Sequence, residues 1–235
     1  MAWGDDELSK FLELAHATQK ANYLNFAPLY TTVLKVNDCL SKAGKNLINP
    51  QPIMAGVLML RCQYAVKTAA GLALAGQAVE TFALMRSALE YAGYALVIFD
   101  NPALEVVFIN RHQSAEEMKV QKESFKISNV RAAIAKCDAK LAENFDIFYQ
   151  RCIDFGGHPN PHATFSAMTL EEDGSSASLT ALAISNDPKV LAHALRNVAQ
   201  VGLTCLYILQ HIFAAKFELL GIRADIDWLR NNARL

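Results

Sequence analysis

The chain has little charge: 19% of its 235 residues are Asp, Glu, Lys or Arg, against 52% hydrophobic. So much apolar material with so little charge can bury a sizeable core, which excludes intrinsic disorder. Neither sign is in surplus, with 22 basic residues against 23 acidic. That balance argues against a chain that binds nucleic acid by bulk charge alone. Cysteine patterning is also missing. Cys39, Cys62, Cys137, Cys152 and Cys205 are odd in number, include no C-x-x-C, and come no closer than the 15 residues between Cys137 and Cys152. Neither a disulfide framework nor a zinc site is expected from that spacing. Buried free thiols in a reducing cytoplasm are the plain reading. The opening residues Met1-Ala-Trp-Gly-Asp-Asp-Glu7 are acidic and carry no apolar stretch, so no secretory signal is expected. The longest uncharged run, residues 197–215, counts 19 with His211 neutral, and Asn197, Gln200, Thr204 and Gln210 interrupt it. A buried core helix accounts for it better than a membrane span. A soluble, cytoplasmic protein is expected.

What the chain does have is Ala and Leu, 36 and 29 residues, both strong helix formers. Prolines 28, 50, 52, 102, 159, 161 and 188 fall where elements should begin. Helices are expected over residues 5–24, 28–47, 53–74, 77–99, 103–122, 128–149 and 188–220, followed by a short amphipathic tail around Trp228. The clearest periodicity lies in the fourth, where Phe82, Met85, Leu89, Ala92, Leu96 and Phe99 alternate spacings of 3 and 4. From Gly156 the texture changes, and Gly156-Gly157-His158-Pro159-Asn160-Pro161-His162 does not suit a helix over its length. Residues 164–185 read as a small β-hairpin or an ordered loop. The expected fold is all-α: a single domain, residues 1–235, forming a bundle of about six to eight helices. Residues 1–49 are expected to pack on it as an N-terminal helical hairpin.

Against this apolar background a few polar residues stand out. Arg86 and Glu90 are four apart on a mostly apolar helix, hence neighbours on one face. Arg-before-Glu is the weaker order for supporting a surface helix, so the pair reads either as a structural salt bridge or as the lining of a polar pocket. His158 and His162 flank Pro-Asn-Pro. Paired His ligands in H-x-x-x-H gain their geometry from one helical face, which Pro159 and Pro161 forbid, so these two are weak metal candidates and no metal or cofactor is expected. His16, His112, His193 and His211 read as structural or surface residues. Arg151 precedes His158 by seven positions. An Arg at a helix end and a His just beyond it would suit a phosphate, the one stabilising charge and the other moving a proton. Residues 111–140 hold seven Lys or Arg and four Asp or Glu, a local excess of three.

Leu84-Met85-Arg86-Ser87-Ala88-Leu89-Glu90, Asp100-Asn101-Pro102 and Phe155-Gly156-Gly157-His158-Pro159-Asn160-Pro161 together resemble a set of bacterial all-helical proteins of no agreed activity. In that set an LRS-x-x-E helix precedes a DNP turn and a later HPN element, and the resemblance covers roughly residues 55–165. More broadly, Arg151 and His158 resemble the R-x(4–6)-H motif of HEPN-like helical domains, often dimeric, some of which are ribonucleases with the motif at the dimer interface. Three functions follow as expectations. The first is a small-ligand or anion pocket where the Arg86/Glu90 helix meets the His158 loop, lined by Arg86, Glu90, Tyr94, His158 and Asn160. The second is an HEPN-like ribonuclease or nucleotide-binding protein with Arg151 and His158 as catalytic residues. The third is a non-enzymatic homodimer formed through surface left over on residues 197–215.

Overall fold

The computed structural model describes residues 4–157, 161, 164, 168–173 and 176–233; His158, Asn160 and His162 lie outside them. The fold is all-α. Eleven α-helices occur among the described residues, more than the six to eight expected. α1 (Glu7–Asn25) is capped by Asp6, whose Oδ1 accepts from the Ser9 amide at 2.9 Å. It breaks at Phe26 into α2 (Ala27–Lys45), and α3 (Ile53–Leu74) follows the Pro50/Pro52 linker. The chain then reverses at Gly76, where φ of +82° suits glycine, and α4 (Ala78–Asp100) begins.

The extra helices come from side-chain caps inside stretches that read as continuous. The span 103–122 divides into α5 (Leu104–Ile109), one 3-10 turn and α6 (Ala115–Ser124), because the Ser114 hydroxyl accepts from the Glu117 amide at 3.1 Å. The span 128–149 divides into α7 (Ile127–Cys137) and α8 (Ala139–Cys152), because Asp138 Oδ1 accepts from the Leu141 amide at 3.0 Å. A π-helical segment, Ile153–Gly157, continues α8. Two short strands, β1 (Met168–Asp173) and β2 (Ser176–Ala181), pair antiparallel from Met168↔Ala181 to Asp173↔Ser176. The last long helix stops early: α9 (Pro188–Ile212) ends at Phe213, and α10 (Ala214–Leu219) and α11 (Ile222–Asn232) follow.

The centre is α3, α4 and α9, at 22, 23 and 25 residues the longest helices, with α2 against α9. Small residues allow the close approach of backbones. Ala65, Ala69 and Ala73 of α3 and Ala88, Ala92 and Ala95 of α4 are buried in one core. A Cβ on Gly202 of α9 would meet Val36 of α2 at 2.6 Å. α1 is held differently. Its Asn22 amide donates to the Leu74 carbonyl at 2.9 Å, a group that the end of α3 leaves without a helical partner, and its Gln19 amide adds a second bond to the Gly71 carbonyl at 3.2 Å.

Three sequence expectations change here. The α4 seam is buried from Phe82 to Leu96, but Phe99 is 40% exposed. Cys137 is exposed while the other four cysteines are buried. Residues 197–212 are packed into the core of the chain itself, so α9 leaves no broad apolar surface for a partner. An exposed apolar stripe lies instead on α3, at Ile53, Val57, Leu60 and Tyr64. Among the described residues α4 is the one helix long and apolar enough to cross a membrane, and 56% of its apolar window is buried inside the protein.

Candidate functional site

Phe82, Arg86, Glu90 and Tyr94 follow one another at four-residue steps, so they form a slowly turning stripe along α4. The middle of the stripe is a closed hydrogen-bonded group. Arg86 Nε donates to Glu90 Oε1 at 3.0 Å and to the Tyr149 hydroxyl at 3.2 Å, and that hydroxyl donates to Glu90 Oε1 at 2.9 Å. The Arg86 and Glu90 side chains are half-buried, at 30% and 27% exposure. Burial, followed by the Glu90 carboxylate, pushes the Tyr149 phenol up to about 12. The Tyr149 ring stacks on fully buried Phe145 at 5.7 Å, which fixes its position. Arg86 and Glu90 therefore form an ion pair within α4, and Tyr149 ties it to α8.

Tyr94 sits one turn further along. It packs edge-on against Phe125 at 5.0 Å and Phe108 at 6.4 Å, with its hydroxyl raised by burial and then by Glu90. Arg151 serves a different neighbour. Two positions from Tyr149 it lies about 200° round α8, and its Nη1 donates to Gln200 Oε1 at 2.8 Å and more weakly to Asn197 Oδ1 at 3.5 Å, both on α9. Its guanidinium also lies over the Phe148 ring at 5.1 Å. It forms no ion pair with a described residue. The structure thus joins Arg86, Glu90 and Tyr149, and turns Arg151 toward α9.

At the Phe82 end of the stripe a cavity of about 590 Å³ opens between the start of α4, the π segment and the start of α9. Its walls include Val79, Phe82, Phe155, Leu182, Lys189 and His193. The Phe82, Phe155 and His193 rings lie 5.3 to 5.8 Å apart, centre to centre. Burial, then the Arg151 and Arg196 charges, hold the His193 imidazole below its ordinary 6.5. Its Nε2 is buried without a hydrogen-bond partner. Two close approaches shape the cavity. A Cβ on Gly156 would stand 2.0 Å from the Val79 carbonyl oxygen, and the Ser185 amide donates to the Gly76 carbonyl at 2.8 Å. The chain therefore leaves Gly156 toward residues 158–162 from a point pressed against the first turn of α4, about 10 Å along the helix from Arg86.

Tyr149 and His193 are the residues that the sequence reading missed. Tyr149 stood at the end of the expected 128–149 helix with no motif around it, and His193 carries none either; the four-residue stripe on α4 was the available signal. A second depression, about 510 Å³, lies between α2 and α11, but its cations are already engaged. Lys35 Nζ stands 3.0 Å from the Trp228 ring centre and Lys42 pairs with Asp225 at 3.7 Å. Among the described residues no three His, Cys, Asp or Glu side chains group as metal ligands would. No family model, curated protein or solved structure matches this chain.

Proposed function

We propose that this protein binds a small ligand where the Arg86/Glu90 helix meets the segment leading to His158. One observation carries this reading: the cavity of about 590 Å³ opens at that junction, a volume in the range of small-molecule sites. Its apolar walls and few polar groups have the make-up of such sites. Arg86 and Glu90, one and two turns along α4 from Phe82, form with Tyr149 of α8 a preformed polar group outside the cavity lining, and His158 and Asn160 follow Phe155 in the chain. Filling the cavity tests the reading. Ala183 lines it at an exposed position, so Ala183→Trp should leave the helical circular-dichroism spectrum unchanged. It should also abolish the thermal stabilisation given by whichever small organic compounds raise the midpoint of the unaltered protein. Stabilisation that persists in the filled variant would sink the proposal.

A second reading rests on Arg151, a half-buried cation held by neutral amides with no carboxylate beside it among the described residues. That leaves its charge uncompensated for a phosphodiester, as an HEPN-like ribonuclease acting through Arg151 and His158 requires. Equal rates of RNA breakdown by the unaltered protein, Arg151→Ala and His158→Ala would remove this reading. We also propose a homodimer seated on the α3 stripe, where Ile53, Val57, Leu60 and Tyr64 present a self-complementary apolar face. Light scattering should then give twice the chain mass, reduced to one by Tyr64→Lys. The unpaired state of all five cysteines supports a cytoplasmic setting.

A further inference from the structure

We infer that the ligand of the α4–α9 cavity is a small aromatic acid, its ring lying among Phe82, Phe155 and His193 and its carboxylate at the start of α4. This rests on the binding reading above and gives it a chemical class. The aromatic half follows from the walls. Three rings with centres 5.3 to 5.8 Å apart border one cavity, at separations where aromatic faces and edges attract a further ring. Val79, Leu182 and Val190 complete an apolar lining.

The acidic half follows from what lacks a partner. α4 begins at Gln77 without a side-chain cap, and among the described residues no acceptor takes the amides of Ala78, Val79 and Glu80. These amides carry the positive end of a 23-residue helix dipole. The start of α9, by contrast, is already capped by Asp187 through the Lys189 amide at 2.7 Å. His193 Nε2 is buried at the same cavity without a hydrogen-bond partner, a state that costs free energy until a ligand supplies one. Lys189 and Glu80 both stand on the wall, Asp187 caps the start of α9 beside it, and Arg151 and Arg196 act on the imidazole. An incoming carboxylate meets uncapped amides, an unpartnered imidazole and the Lys189 ammonium on the wall, while the rings take its body.

The test uses 2-naphthoate and its neutral counterpart 2-naphthalenemethanol, titrated calorimetrically into the full chain. The acid should bind about tenfold tighter than the alcohol, the difference expected when a charged acceptor replaces a neutral one. Both His193→Gln and the surface change Lys189→Gln should narrow that gap, with folding checked by circular dichroism. If the alcohol binds as tightly as the acid, the acidic class is wrong and the binding cavity stands. If neither compound binds and Ala183→Trp changes nothing, the cavity reading falls with it.

Discussion

The two faces of α4 are built on different principles. On one face Met85, Leu89 and Ala92 are wholly buried among apolar side chains of the central core. That face is held by area removed from water, a term that depends little on direction and tolerates many apolar residues. On the other face Arg86 and Glu90 are half-buried and joined to Tyr149 by three hydrogen bonds of 2.9 to 3.2 Å. Directional bonds of this kind fix where groups stand and add less stability. One face determines that the helix packs, and the other determines what stands beside the cavity. Charge is scarce in this chain, and it is concentrated where the apolar core has no use for it.

Substitutions on the two faces should separate these roles. The largest effect belongs to the buried face: Leu89→Ala should cost about 2–5 kcal/mol in urea unfolding, and a loss below about 1 kcal/mol would mean that the seam is not the core. On the polar face Glu90→Ala should cost about 1–2 kcal/mol, discounted for its partial exposure, because it removes the acceptor shared by Arg86 and Tyr149.

Tyr149→Phe should act mainly at alkaline pH. The folded phenol is raised from 10.0 to about 12, so its contribution is present below the ordinary value and lost as pH rises through that window. The substitution should flatten stability between these limits, and an unchanged profile would separate Tyr149 from Glu90. The smallest effect is expected at His193. Its folded imidazole lies below 6.5, so the unfolded chain binds protons more readily and stability falls as pH drops below that value. His193→Gln should shallow the fall in melting midpoint on the acid side; an identical slope would place the imidazole in ordinary solvent.

The apolar face was largely legible in the sequence, and the polar face only in half. Residues 53–74 were bounded correctly because Pro52 and Gly76 punctuate the chain there, and the 3–4 spacing from Phe82 to Leu96 named buried positions. Arg86 and Glu90 stood out because charge inside an apolar helix is unusual. Their partner Tyr149 did not, because a hydrogen bond across 59 residues leaves no local pattern. Ser114 and Asp138 start α6 and α8 by accepting a single backbone amide each. A single polar residue inside a run that reads as helical adds no periodic signal, so neither break was expected. His193 was passed over because one histidine in a 25-residue helix signals nothing until a cavity forms against it.

The start of α4, the π segment and the start of α9 together form the proposed binding site. Backbone amide chemical shifts, recorded while a mixed set of small organic acids and neutral compounds is added to the isotope-labelled chain, test this most directly. Saturable shifts centred on Ala78–Phe82, Ile153–Phe155 and Lys189–His193 are expected. Shifts centred instead on Lys35, Asp225 and Trp228, with none at the start of α4, would contradict the proposal.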